Sequence, residues 1–265
     1  MNTNRIVERV LEAADGTPLV QRIQGHGPAV VIVHGVLADA CQWDEVAGAL
    51  AQRGRRVVVP HRRGRAPSGP LGPDYDLRTE VHDLRCILDE VGPGACLVGH
   101  SYGGVIALHA AMQREDLGRL VVYEPLLDPR SFGGPPLAKA QALAARGDLE
   151  GAMLVLVTEI SPTPPELLPA YRASGLWQSQ LRFVRAAIAE IAATERALPR
   201  SPDWSSLRVP PRVLLGALNE GHEPFGPSAV ALAESIPGAR LVRLEGQRHL
   251  AHVDAPARLA SAILA

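Results

Sequence analysis

A chain of 265 residues, 46% of them hydrophobic, is long enough to bury a sizeable core, and its formal net charge of −1, with no long run of one sign, excludes a general nucleic-acid binder or a charged tail. Arg5, Glu8, Arg9 and Glu12 interrupt the start, and no apolar stretch reaches membrane-spanning length, so a cytoplasmic protein without membrane contact is expected. Cys41, Cys86 and Cys96 are odd in number and widely spaced, which points to neither a disulfide frame nor a zinc site; no metal or cofactor is expected.

In chain order, residues 5–13 and 18–24 flank the turn signal Asp15-Gly16 and predict a hairpin. Residues 29–33 form an apolar, β-branched run, as expected of a strand buried on both faces of a parallel sheet. It ends in His34-Gly35. Trp43, Val46, Ala47 and Leu50 then carry helical spacing, followed by a strand over 56–59 and a loop rich in Gly, Pro and Arg. Leu77, Val81, Leu84, Ile87 and Leu88 mark an amphipathic helix.

The next apolar run, 95–98, leads into Gly99-His100-Ser101-Tyr102-Gly103-Gly104, after which Val105, Leu108 and Met112 resume helical spacing. G-x-S-x-G between a strand and a helix is a nucleophile elbow. Its serine sits on a strained turn whose neighbours must be small, with the hydroxyl projecting off the sheet edge. The backbone N–H of Tyr102, at the start of the new helix, is then aimed at an oxyanion. Residues 120–123 read as another strand, ending in Glu124-Pro125.

The strand–helix alternation stops there. From 131 to 200 the patterns are helical only, over 137–146, 148–159, 167–173 and 177–198, with a Pro-rich joint at 162–165. Such a block reads as a cap, 131–200, over a core made of 1–130 and 201–265. Trp177, Leu181 and Val184 in the last helix are expected to help wall a substrate site. Strands over 212–216 and 239–244 and helices near 228–236 and from 256 complete the pattern. The fold expected is α/β: a mostly parallel sheet of about eight strands, helices on both faces, and the ligand crevice at the strand C-termini.

Val33-His34-Gly35, Arg62-Arg63-Gly64-Arg65, Gly99 to Gly104, Tyr123-Glu124-Pro125 and Gly246-Gln247-Arg248-His249 together resemble the α/β-hydrolase family, and within it the small bacterial serine hydrolases with a helical cap. The likeness covers nearly the whole chain. It implies the order nucleophile, acid, histidine: Ser101 as nucleophile and His249 as base, with His252 its local rival. The second oxyanion donor is then the N–H of Val36, with His34 lining the substrate side of the same turn. The aspartate that relatives carry after the strand ending at Gly216 is replaced here by Asn219, in Gly216-Ala217-Leu218-Asn219. The acid is therefore expected at Glu124, with Glu220 as the alternative. Arg248 replaces a small residue and is expected to reach solvent, and Arg62, Arg63 and Arg65 to form a solvated basic loop.

The expected activity is hydrolysis of a small or medium apolar ester, thioester or lactone by a monomer or homodimer without nucleic-acid partners. Non-hydrolytic use of the same site (lyase, acyltransferase or cyclase) and a ligand-binding role on this scaffold are the alternatives.

Overall fold

The computed structural model describes residues 5–127, 133–197 and 203–265; the bounds 131, 198 and 200 of the expected helical block lie outside them. Eight strands form one sheet: β1 (Ile6–Glu12), β2 (Pro18–Gly25), β3 (Ala29–Val33), β4 (Arg56–Pro60), β5 (Cys96–His100), β6 (Arg119–Tyr123), β7 (Arg212–Gly216) and β8 (Arg240–Leu244). Their order is β1-β2-β4-β3-β5-β6-β7-β8. Only β2 runs antiparallel to its neighbours, through the expected hairpin with β1; all pairings from β4 to β8 are parallel.

Side chains alternate across the sheet, because successive strand residues point to opposite faces. Val31, Val33, Leu97, Leu120 and Val122 enter one core together with helices α2 (Leu77–Val91) and α3 (Tyr102–Ala111). Val30, Ile32, Val98, Val121 and Tyr123 enter the other, with α1 (Asp44–Ala51) and the C-terminal helix. Each such fully buried aliphatic side chain contributes roughly 1.5–3 kcal/mol. Both faces are thus apolar, and the polar residues left over collect where the strands end.

Between β6 and β7 the described residues hold helices and no strand: α4 (Gly134–Ala145), α5 (Leu149–Val155) running into a π turn (Leu156–Ile160), α6 (Leu168–Arg172), α7 (Gly175–Leu181) and α8 (Val184–Ala197). The single helix expected from residue 177 is in fact two. The chain turns at Arg182 and Phe183, where Arg182 bonds Asp39 at 2.7 Å and Phe183 is buried. The chain closes with α9 (Gly226–Ser235), α10 (Ala251–Asp254) and α11 (Pro256–Leu264).

Candidate active site

Strand register builds the site. His100 pairs with Tyr123 across β5 and β6, so the next residues, Ser101 and Glu124, leave two adjacent strands at the same level. The Ser101 N–H donates to Tyr123 O (2.9 Å) and the Glu124 N–H to Leu214 O (3.1 Å), which continues the ladder one step past the strand ends. Three non-glycine residues among those described have positive φ: Leu37 (53°), Ser101 (55°) and Glu124 (43°). Each is strained by about 1–3 kcal/mol, and all three cluster around this edge.

The elbow's glycines are required by space. A Cβ on Gly103 would lie 2.1 Å from Val33 O, and one on Gly99 would lie 2.4 Å from Gly103 O. A Cβ on Gly35 would come within 2.8 Å of Ser101 Cβ and 3.3 Å of its Oγ, so the His34-Gly35-Val36 turn lies directly against the serine. Ser101, Val36 and His249 line one cavity of about 510 Å³.

His249 is held from several sides. Its Nδ1 is 2.6 Å from Glu124 Oε2, its ring stacks on Phe225 with centroids 3.7 Å apart, and its carbonyl accepts from His100 Nε2 at 2.9 Å. The preceding carbonyl, Arg248 O, accepts the Tyr123 hydroxyl. Glu124 is fully buried. It accepts the Gly216 N–H at 2.8 Å, and the Asn219 amide lies 3.0 Å from both of its oxygens. Burial pushes the Glu124 carboxyl up to about 8, against the lowering by the Gly216 and Asn219 donors. Burial also pushes the His249 imidazole below its ordinary range, which leaves it neutral. The two groups sit in one short hydrogen bond and titrate as a pair.

The other expected site residues lie elsewhere. Glu220 is exposed and paired with Arg243 at 2.9 Å, turned from His249 by that ion pair. His252 does line the cavity, but it stacks on Trp43 at 4.7 Å. His34 does not reach the substrate side. It is fully buried, and because a carbonyl can only accept, its Nδ1–H donates to Gly35 O (3.0 Å) while Nε2 accepts the Arg62 N–H (3.4 Å). Trp177 and Val184 are core residues, Trp177 meeting Tyr171 edge to face at 5.4 Å, and Leu181 packs partly buried against the same core. The wall on the helical side comes instead from Leu156, Val157, Ile160, Tyr171, Gln180 and Ile191. Arg248 is half-buried and donates to Leu218 O at 3.2 Å, while also lining the cavity.

The basic loop is not solvated. Arg62, Arg63 and Arg65 are each at most 3% exposed, because Glu80, Asp83 and Glu190 neutralise them inside the protein. Asn219, through Glu124, and His100, through the His249 carbonyl, also belong to the site. The only sequence signal for Asn219 was its place in the slot that relatives give to aspartate. No group of three or more His, Cys, Asp or Glu side chains among the described residues is arranged to hold a metal.

A strained serine between a strand and a helix, at the carboxyl edge of a mostly parallel sheet, defines the α/β-hydrolase class of enzyme. Residues 30–262 match the Alpha/beta hydrolase family, and the chain belongs to it. An alpha/beta hydrolase from Sphaerobacter thermophilus superposes with a TM-score of 0.82 at 30% identity, over 97% of this chain and 100% of that one. The sn-1-specific diacylglycerol lipase ABHD11 of Mus musculus is 39% identical over 100 residues, 37% of this chain and 32% of the lipase. Polyketide synthase ThaQ of Burkholderia thailandensis is 29% identical over 250 residues, 89% of this chain and 12% of the synthase. The chain thus matches a third or less of the length of these two curated relatives.

Proposed function

We propose that the protein is a serine hydrolase that cleaves a small or medium, fairly apolar ester, thioester or lactone through an acyl-enzyme. The observation that carries this reading is the 2.6 Å contact between His249 Nδ1 and Glu124 Oε2, made beside an elbow serine that opens into the same cavity as His249. Serine hydroxyls are weak nucleophiles at neutral pH and need an adjacent base. With Nδ1–H donated to Glu124, the Nε2 lone pair of neutral His249 takes the Ser101 proton as Oγ attacks the carbonyl. The N–H groups of Tyr102 and Val36 hold the oxyanion. His249 returns its proton to the leaving group, and water, activated the same way, releases the acyl group.

Residues 131–200 act as a cap over a core made of 1–130 and 201–265, and their apolar side chains at the cavity suit an acyl chain. The near full-length alignment with a segment of a polyketide synthase favours an acyl thioester among the three substrate types. The test is turnover of p-nitrophenyl and thiol esters, with a fluorophosphonate adduct mapped by mass spectrometry to the Ser101 peptide. A protein that turns over neither of these esters nor a lactone, or an adduct on another serine, overturns the reading.

Burial of the acid sets the pH dependence. The active form is carboxylate plus neutral imidazole, so the pair must lose its shared proton. With Glu124 raised to about 8, kcat/KM is expected to climb with pH and reach half its plateau near that value, above the ordinary imidazole range. Asn219→Ala removes a donor that favours the carboxylate. A hydrogen bond to a charged group is worth about 1.5 kcal/mol or more, so the midpoint should rise by about one unit. A midpoint that falls or stays fixed in Asn219→Ala rules out this role for the amide.

A further inference from the structure

The Arg62–Glu190 network has no counterpart in the chemistry just described, yet it ends on the turn that carries Val36. Arg62 donates from Nε to His34 O (3.0 Å) and from Nη2 to Gly35 O (2.9 Å), while Nη1 is held by Glu80 at 2.6 Å and by Glu190 of α8 at 3.1 Å. Arg65 donates from Nε to Ala38 O (2.8 Å) and reaches the same Glu190 at 2.8 Å. Two arginines and two glutamates balance in charge inside the protein. The Tyr75 hydroxyl closes the network, donating to Glu80 (2.9 Å) and lying 2.9 Å from the Tyr102 hydroxyl. Arg62 also lies over the Tyr102 ring, 5.0 Å from its centre.

The consequence follows from peptide geometry. The Gly35–Val36 bond is trans, since the cis bonds among the described residues are Ala66-Pro67 and Glu223-Pro224. A planar trans unit points its C=O and N–H in opposite directions. Gly35 O is drawn to Arg62 and to the His34 ring, both buried and neither part of the cavity wall. The Val36 N–H on the same unit is therefore driven the other way, towards the cavity that Val36 lines and the serine against which Gly35 packs. Leu37 next along is held at φ 53°, a backbone state that needs support from outside the turn.

We propose that Arg62 is the positioning residue of the oxyanion hole, and that Glu190 of the helical insertion fixes Arg62 in that place. The insertion thereby takes part in transition-state stabilisation as well as in enclosing substrate. This rests on the serine hydrolase reading and deepens it.

The test uses Arg62→Lys, which keeps the buried charge but loses the planar fork that bonds two carbonyls at once. Glu190→Gln keeps the shape of its side chain and loses the charge. Both are read for kcat, KM, melting temperature and inhibition by a trifluoromethyl ketone, whose adduct with serine carries an oxyanion. Removal of one oxyanion donor costs about 10²–10³ in kcat, so Arg62→Lys is expected to lose about 10² in kcat with KM changed less than about threefold. Its affinity for the ketone should fall by the same factor, and Glu190→Gln should show a smaller loss of the same kind. A folded Arg62→Lys protein with wild-type kcat and ketone affinity, or with a change in KM alone, overturns the proposal. Should the variants fail to fold, the wild-type Val36 amide decides: its NMR signal is expected to move downfield when the ketone adduct forms, and an unmoved signal overturns the proposal. Failure of wild-type Ser101 to form the adduct at all would instead strike the triad reading beneath it.

Discussion

Replacing Ser101 by alanine is expected to lower kcat by about 10⁶, the scale seen when a serine protease loses its nucleophile, and replacing it by glycine should do the same. The two variants should nevertheless differ in stability. Ser101 sits at φ 55° and ψ −122°, a region that a residue with a Cβ enters only under strain. Alanine keeps that strain; glycine relieves it. Glycine also adds entropy to the unfolded chain, an opposing effect of about 0.5–1 kcal/mol, whereas the strain is worth about 1–3 kcal/mol. The balance leaves Ser101→Gly more stable than Ser101→Ala by about 1 kcal/mol in urea unfolding. An alanine variant as stable as the glycine variant would mean the elbow is not strained, and residual activity in either would return the nucleophile to question.

The same residue shows what a sequence makes legible. The elbow is a local pattern: small residues at Gly99, Gly103 and Gly104 between an apolar run and a helical stripe, where a Cβ would meet backbone oxygen at Gly99 and Gly103 and the Pro125 ring at Gly104. The buried strands are equally local, since β-branched runs at 29–33 and 56–59 report burial on both faces. What stayed hidden is set by distant partners. Arg62, Arg63 and Arg65 read as a solvated loop because nothing near them in the chain neutralises them; their partners Glu80 and Asp83 lie in α2 and Glu190 in α8. Trp177 and Val184 have the spacing of a cavity wall and of a core alike, and only the turn at Arg182 and Phe183 decides for the core. In the sequence Asn219 reads as a lost acid. In the fold its amide supports another acid one strand away.

Glu124→Gln is expected to lower kcat by about 10³–10⁴ with little change in KM, while Glu220→Gln stays within about twofold of wild type. The acid of a triad fixes the tautomer of its histidine, and in a serine protease the corresponding amide costs about 10⁴ in kcat by favouring the wrong one. The same logic applies atom by atom here. Glu124 accepts the Gly216 N–H on Oε1 and His249 Nδ1 on Oε2. A glutamine that keeps its oxygen towards Gly216 turns its NH₂ towards His249, whose Nδ1 must then accept. The proton moves to Nε2, and the lone pair that should receive the Ser101 proton is gone. Glu220, exposed and bound to Arg243, has no such path. Stability should change in the opposite sense at high pH. The folded Glu124 carboxyl titrates near 8, above the 4.5 of a free glutamate. Below about 4.5 it is neutral folded or unfolded, so its favourable contribution is fully present there. Between about 4.5 and 8 the unfolded carboxyl ionises while the folded one keeps its proton, so that contribution falls by about 1.4 kcal/mol per unit and is gone above 8. Glutamine does not titrate, so Glu124→Gln should gain on wild type by a few kcal/mol between pH 4.5 and 8.5 in urea unfolding. An inactive variant whose stability tracks wild type across that range would place the catalytic effect elsewhere than in a buried, titrating acid. Full activity in Glu124→Gln would move the role of acid to another carboxylate.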